Sequence, residues 1–194
     1  GHEQNWSSMQ ADNGFIYVGN SIGISEWDGE SWRNYATPQN TPVRKIIQWS
    51  DRRLYIGTTN DLGFYQTNEQ GLLSYHSLLT NWTKEQRQFG QVWWMASNEH
   101  GIMFITSNVV YFWNGKTLQT VKGVSPGFAR VFAFEDRFIL KAEKESFITE
   151  IKIDSSQAVI SDEVQFSIEK STLQIPDKAI PRKIFYNLDN NLVV

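Results

Sequence analysis

The chain has 194 residues, a formal net charge of −3 and no cysteine. The slight acidic excess argues against a nucleic-acid-binding protein, because such proteins present an excess of Lys and Arg to the phosphates. The lack of cysteine excludes a disulfide framework and cysteine-ligated zinc. Apolar residues make up 40% of the chain and aromatic residues 14%, which is enough for a packed core.

An internal repeat organises the chain. Trp27-Asp28-Gly29 returns as Trp113-Asn114-Gly115, 86 residues later, and Val43-Arg44-Lys45-Ile46 aligns with Ala129-Arg130-Val131-Phe132 at the same spacing. Half of that spacing, 43 residues, matches the roughly 40–45 residues of a four-stranded propeller blade. We therefore predict an all-β fold of four-stranded antiparallel β-propeller blades.

In chain order, short β-rich runs alternate with Asx and Gly turns, as is typical of hairpins. The first blade is predicted to use strands near Trp6–Gln10, Phe15–Gly19, Ile24–Trp27 and Trp32–Tyr35. Later first strands are predicted at Arg44–Trp49, Gln91–Met95, Arg130–Phe134 and Arg182–Tyr186. Their hairpin partners are predicted at Leu54–Gly57, Ile102–Thr106, Phe138–Leu140 and Leu192–Val194. Third strands are expected at Gly63–Tyr65, Val109–Phe112 and Phe147–Ile151, and an outer strand at Leu118–Val121.

The spacing between these units is uneven. We attribute the long steps to insertions at Thr67–Gly90 and Asp154–Pro181, and predict that Leu78–Arg87 is a long loop between blades rather than a helix. The predicted blades cover residues 5–40, 41–88, 89–126 and 127–180, followed by an incomplete unit at 181–194. Four to five blades of this kind indicate a piece of a larger propeller.

The order of the motifs carries a family resemblance. The motifs are Val43-Arg44-Lys45-Ile46, Leu54-Tyr55-Ile56-Gly57-Thr58, Gly23-Ile24 and Trp27-Asp28-Gly29-Glu30-Ser31-Trp32. Together they resemble the two-component regulator propeller repeat over roughly the first 120 residues. The resemblance implies a periplasmic sensor domain of a membrane-bound bacterial signalling protein, whose histidine kinase or diguanylate cyclase module lies outside this chain. It also implies a small-molecule ligand, often an oligosaccharide, bound at the propeller mouth.

Five polar residues occupy similar places in the predicted first strands, six or seven residues before the following turn. They are Asn5, Arg44, Gln91, Arg130 and Arg182. Because the innermost strands of a propeller line its central channel, we predict that these residues bind the ligand. The arginines offer a planar fork suited to carboxylate, phosphate or sugar hydroxyl groups. The alternative is that all five satisfy backbone carbonyls or neighbouring acids at the channel mouth.

Motifs of catalytic chemistry are missing from the sequence. His2, His76 and His100 have no metal-ligand spacing, and no nucleophile elbow, dinucleotide loop or phosphate loop occurs. We therefore predict no metal, no cofactor and no catalytic residue, and expect that the chain itself is not an enzyme. Trp27 and Trp113 are expected to pack against the next blade, with a sugar-stacking role as the alternative. A protein-interaction scaffold and a propeller lyase or hydrolase are the competing functions.

The partners follow from the predicted architecture. The chain ends inside a predicted second strand of a fifth blade, so we expect that it lacks the C-terminal part of the sensor. Open blade edges leave unpaired backbone groups and apolar faces, and these favour self-association. Nucleic acid is not expected as a partner.

Overall fold

The computed structural model describes residues 4–127, 129–143, 145–154, 164–174, 185–186 and 192–193. Every regular element in these ranges is a β-strand, which confirms the all-β prediction. They contain no helix long and apolar enough to cross a membrane.

The strands form four antiparallel sheets of four strands each, in chain order, and one short hairpin. Blade 1 comprises β1 (Ser7–Gln10), β2 (Ile16–Gly19), β3 (Gly23–Trp27) and β4 (Trp32–Ala36). Blade 2 comprises β5 (Ile46–Gln48), β6 (Leu54–Gly57), β7 (Leu62–Thr67) and β8 (Leu73–Ser77). Blade 3 comprises β9 (Val92–Asn98), β10 (Gly101–Thr106), β11 (Val110–Trp113) and β12 (Leu118–Thr120). Blade 4 comprises β13 (Ala129–Phe134), β14 (Arg137–Ala142), β15 (Phe147–Asp154) and β16 (Gln165–Gln174), and β17 (Phe185–Tyr186) pairs with β18 (Leu192–Val193).

The two repeated Trp-Asx-Gly motifs form hairpin turns, as expected. Asp28 Oδ1 accepts the backbone N–H groups two and three residues later at 2.9 and 2.8 Å. Asn114 Oδ1 likewise accepts the backbone N–H groups two and three residues later at 2.9 and 2.8 Å. Gly29 and Gly115 follow with φ of 105° and 94°, a backbone region that favours glycine. The local sequence therefore fixes where the third strand of blades 1 and 3 turns into the outer strand.

The hydrophobic core lies between blades. The first strands contact one another in series, β1 with β5, β5 with β9 and β9 with β13, so they converge at the inner side of the stacked sheets. Successive residues of β5 face opposite neighbours. Ile46 packs in a buried cluster with Tyr17 of blade 1, and Ile47 packs in another with Phe104 of blade 3. The four sheets stack face to face without closing into a ring among the described residues, which confirms the propeller-blade architecture.

A repeated backbone contact joins blade 1 to blade 2 and blade 2 to blade 3. The amide of Val43 donates to the carbonyl of Asn20 at 2.9 Å, and the amide of Val92 donates to that of Thr58 at 3.1 Å. Glycine makes the second approach feasible, since a Cβ on Gly57 would lie 2.4 Å from Val92 Cγ1. The Ile56-Gly57-Thr58 part of the repeat motif is thus explained by close packing between blades 2 and 3.

Two outer strands lie in segments that the sequence predicted to be insertions. β8 falls within Thr67–Gly90 and β16 within Asp154–Pro181, so the insertion hypothesis is wrong for these parts of the chain. An outer strand pairs along one edge only and buries few side chains. Its sequence therefore contains few apolar residues by which a strand could be predicted. The segment Leu78–Arg87 is a series of turns without a helix, as predicted.

Buried tyrosines make the stability of this fold depend on pH in the alkaline range. Tyr17 donates its hydroxyl to buried Glu26 Oε2 at 2.9 Å, and burial raises the pKa of Tyr17 to about 12. In the unfolded chain the same hydroxyl loses its proton near its ordinary pKa of about 10. The folded state therefore holds the proton more tightly between pH 10 and about 12, and stability should fall as pH rises through that window.

Tyr17→Phe should make this alkaline loss of stability less steep, as measured by urea unfolding at pH 8, 10 and 11. Burial also raises the pKa of Tyr35 and Tyr65, so part of the pH dependence should remain in the variant. An identical pH dependence in wild type and variant would contradict the assignment to Tyr17.

Candidate functional site

The starts of the first strands surround a cavity of about 250 Å³ at the inner side of the blades. All four blades contribute to its lining, which consists of Trp6, Arg44, Trp93, Trp94, Ala129 and Arg130. Trp6 and Arg44 lie just before β1 and β5, whereas the other four residues belong to β9 and β13. The site is thus assembled from residues far apart in sequence that the stacking of blades brings together.

Arg44 lies between two indoles of this site. Its Cζ lies 4.1 Å from the centre of the Trp6 ring and 4.6 Å from that of Trp93, so two indoles from different blades contact one guanidinium. Such cation–π contacts contribute about 0.5–2 kcal/mol each, depending on desolvation. Burial lowers the pKa of Arg44, and its buried Nε has no hydrogen-bond partner among the described residues.

Two further cations contact the indole of Trp94. Lys45 Nζ lies 5.5 Å and Arg130 Cζ 5.1 Å from the centre of its ring. Burial lowers the pKa of Lys45. The cavity is therefore bordered by cations and indoles that alternate from blade to blade.

Hydrogen bonds hold both indoles of β9 in place. Trp93 Nε1 donates to Ser107 Oγ at 3.1 Å, and Trp94 Nε1 donates to the carbonyl of Val131 at 3.0 Å. Each bond joins the ring to another strand or turn, so the indoles form a preorganised wall rather than mobile surface groups.

A β-bulge directs these neighbouring indoles toward the same cavity. In the pairing of β9 with β10, Trp94 lies opposite Ile105 and Val92 lies opposite Thr106, which leaves Trp93 as the extra residue. A regular strand would send residues 93 and 94 to opposite faces. The bulge bends the strand and changes the direction of its side chains, as bulges near functional sites often do.

The predicted binding residues do not all reach the cavity. Arg44 and Arg130 line it. Asn5 instead borders a separate depression of about 260 Å³ on the open face of blade 1, beside Trp32. The Gln91 side chain accepts a hydrogen bond from Thr59 Oγ1 at 2.9 Å and donates to the carbonyl of Val92 at 2.9 Å. Arg182 lies outside the described residues.

The pairing register explains why the predicted positions separate. Val43 and Val92 make the same backbone contact to the preceding blade, so they are equivalent, and Arg44 corresponds to Trp93 rather than to Gln91. Counting back from the hairpin turn does not reveal this correspondence, because the turns differ in length: five residues separate the paired Gln48 and Leu54 in blade 2, and two separate Asn98 and Gly101 in blade 3. Sequence reasoning also missed Trp6, Trp93 and Trp94 as site residues, although their signal was present as indoles beside the polar residues singled out.

The repeated tryptophans have structural contacts away from the cavity. Trp113 Nε1 donates to the hydroxyl of Tyr55 at 3.3 Å, so it packs against the preceding blade rather than the next one. Trp27 packs against Trp32 with ring centres 5.4 Å apart, on the face of blade 1 that no other described blade covers. These contacts account for the two repeated turns without a ligand.

A larger cavity of about 580 Å³ lies at the opposite end of the first strands, between blades 1 and 2. Two of its three charged lining groups pair with each other, since Asp51 Oδ2 accepts from Tyr55 at 2.8 Å and lies 3.5 Å from Arg53 Nη1. Within the described part of the chain, no three His, Cys, Asp or Glu side chains cluster as a metal site. The cation–indole cavity is therefore the better candidate for ligand binding.

Comparisons with known proteins give structural neighbours only. No family model and no curated protein matches the chain. The extracellular domain of a putative hybrid two-component system from B. thetaiotaomicron is similar with a TM-score of 0.63 and 16% identity, over 94% of this chain and 23% of that one. Virginiamycin B lyase from Staphylococcus aureus has a TM-score of 0.67 and 14% identity, over 98% and 65%. The Dos1 propeller has a TM-score of 0.62 and 12% identity, over 89% and 49%.

The chain thus spans about a quarter of the length of the extracellular domain that it matches. The neighbours differ in their activities, and identities below 20% carry no function from one to another. What they share with this chain is the architecture: the chain has the β-propeller fold.

Proposed function

We propose that this chain is part of an extracytoplasmic ligand-sensing domain of a membrane-bound bacterial signalling protein. It binds a small molecule or an oligosaccharide at the cavity between the first strands, and a histidine kinase or diguanylate cyclase module elsewhere in the protein provides the output. The observation that carries the proposal is the wall of alternating indoles and cations contributed by all four blades.

The chemistry of this wall suits a ring-shaped polar ligand. Indoles offer flat apolar surface, and arginine and lysine offer directed N–H donors around it. Sites of this kind, mostly apolar with a few convergent polar groups, are the usual form of small-molecule pockets. The resemblance of the sequence motifs to sensor propellers and the similarity to an extracellular sensor domain support the same interpretation.

The lining favours binding over catalysis. Among its described residues are three indoles, two guanidinium groups and one methyl group, with no carboxylate or imidazole to act as a general acid or base. A lyase in this cavity would need such a group for proton transfer. The similarity to virginiamycin B lyase concerns the fold and gives no residue for that role.

Arg44→Ala and Arg130→Ala should each leave the fold intact and weaken ligand binding. Loss of a hydrogen bond from a charged group in a site costs about 1.5–3 kcal/mol, which corresponds to roughly a tenfold to hundredfold rise in Kd. The measurement is a screen of neutral and acidic oligosaccharides by tryptophan fluorescence, since Trp6, Trp93 and Trp94 lie at the site. Calorimetry then gives the Kd of each variant for the saccharides that bind.

Arg33→Ala serves as the matched control. Arg33 is an arginine on the outer strand of blade 1, paired with Asp28 at 2.9 Å and remote from the cavity. Its loss should leave the Kd unchanged. Equal affinity in both cavity variants and in wild type would show that Arg44 and Arg130 have structural roles only.

A further inference from the structure

Arg44 and Lys45 differ in their surroundings from several other cations of this protein. Three other arginines are matched with carboxylates: Arg33 with Asp28 at 2.9 Å, Arg137 with Glu150 at 2.6 Å, and Arg87 with Asp61 at 3.7 Å. By contrast, no carboxylate of the described residues lies within 4.0 Å of Arg44 or Lys45.

These two cations are also partly withdrawn from water. Both side chains are half-buried, and burial lowers the pKa of each. The Nε atom of Arg44 is buried and makes no hydrogen bond among the described residues. Partial burial of a cation without an anion is unfavourable, and unpaired buried donors are rare in folded proteins. Among the described residues, these two cations therefore lack a negatively charged hydrogen-bond acceptor, which a ligand could supply.

Geometry shows which part of Arg44 is available. The Cζ atom of Arg44 lies over the rings of Trp6 and Trp93, 4.1 and 4.6 Å from their centres. An indole face does not offer the oxygen acceptors that guanidinium N–H groups bind in carboxylates and sulfates. The Nε atom is buried, so the Nη groups are the donors that a ligand in the cavity can reach. The indoles thus orient the fork without satisfying its donors.

We infer that the ligand of this site carries an oxyanion group, a carboxylate or a sulfate, which binds the guanidinium edge of Arg44. The inference rests on the proposed function and specifies its ligand: a saccharide whose bound unit is acidic, such as a uronic acid or a sulfated sugar. The cavity of about 250 Å³ lies below the usual range of about 300–1,000 Å³ for small-molecule sites. It therefore suits one terminal unit rather than a long stretch of a chain.

The test compares probes that differ in charge but not in general shape. Glucuronate, N-acetylglucosamine 6-sulfate and glucose are titrated into the protein, with inorganic sulfate as a minimal oxyanion, and tryptophan fluorescence and thermal stability are followed. We expect the two acidic sugars to bind at least tenfold more tightly than glucose. Their affinity should fall as sodium chloride is raised, because a partly exposed charge pair is screened by salt.

Two substitutions of Arg44 distinguish the effect of its charge from the effect of its planar shape. Arg44→Gln should weaken binding of the acidic sugars by roughly a tenfold to hundredfold factor. Arg44→Lys should recover part of the loss, since it restores the charge but not the planar fork. Arg33→Gln should match wild type, and far-ultraviolet circular dichroism should confirm that each variant is folded.

The outcomes distinguish the inference from the function on which it rests. If glucose binds as tightly as glucuronate and the sulfated sugar, the oxyanion inference is wrong while a saccharide sensor stands. If inorganic sulfate binds in an Arg44-dependent manner but no sugar does, the oxyanion site stands and the saccharide sensor falls. If no probe produces a response, or if Arg44→Gln changes none of the responses, the inference is overturned. Preference for the carboxylated over the sulfated sugar, or the reverse, identifies the source of the oxyanion.

Discussion

Replacing Phe112 with alanine should lower the free energy of unfolding by about 3–5 kcal/mol, the usual cost of removing a large aromatic side chain from a core. Phe112 is fully buried between blades 3 and 4. It makes edge contacts to Phe138 of blade 4 at 5.9 Å and to Phe166 at 5.3 Å between ring centres. Its removal leaves a cavity where two blades meet, and the stacked sheets cannot collapse to fill it without moving a whole blade.

Urea unfolding followed by tryptophan fluorescence and circular dichroism measures this effect. Because each blade packs mainly against its neighbours, weakening one contact should also reduce the cooperativity of unfolding. Leu72→Ala is the control. Leu72 is 45% exposed, and its truncation should change stability by no more than about 0.5 kcal/mol. A loss below about 1 kcal/mol for Phe112→Ala would mean that the contact between blades 3 and 4 contributes far less than its burial implies.

Asp61→Ala should be almost as destabilising, at about 3–5 kcal/mol, because it removes the acceptor of a buried backbone amide, two partly buried hydroxyl groups and a partly buried arginine. Asp61 is 3% exposed. It accepts hydrogen bonds from Ser77 Oγ at 2.6 Å and from Tyr75 Oη at 2.8 Å, and lies 3.7 Å from Arg87 Nη1. Burial and the negative charge of Asp61 raise the pKa of Tyr75. One carboxylate thus joins the third and outer strands of blade 2 to the loop that leads to blade 3.

A double-mutant cycle with Tyr75→Phe identifies the origin of this effect. If the Tyr75–Asp61 hydrogen bond contributes to stability, the double variant should be less destabilised than the sum of the two single variants, since the orphaned hydroxyl is then absent. Asp61→Asn keeps the size of the side chain and should fall between wild type and Asp61→Ala. Strict additivity in the cycle would assign the loss to Ser77 and Arg87 instead.

The placement of Asp61 also bears on the function of this protein. A buried carboxylate would be a natural candidate for catalysis, yet the oxygens of Asp61 are occupied by two hydroxyl groups and an arginine. It does not line the cation–indole cavity. Asp61 therefore supports the blade, and the chemistry of the cavity rests on indoles and cations.

Much of the local structure could be read directly from the residues. The Asx-Gly turns at Asp28 and Asn114 form because a side-chain oxygen binds the backbone a few residues away, and no distant contact is needed. Short β-rich runs between such turns predicted the strands of blade 1 to within one residue at each end. The weakly apolar outer strands β8 and β16 gave no comparable signal.

The sequence by itself determined an all-β chain of repeated hairpins, because turn chemistry and strand alternation act over a few residues. It also indicated Arg44 and Arg130 as residues of the inner strands. Only the tertiary structure decided that Trp6, Trp93 and Trp94 join them and that Gln91 does not. The physical reason is that equivalence between blades depends on how the sheets stack, whereas the distance of a residue from the hairpin turn changes with the length of that turn, which differs between blades 2 and 3.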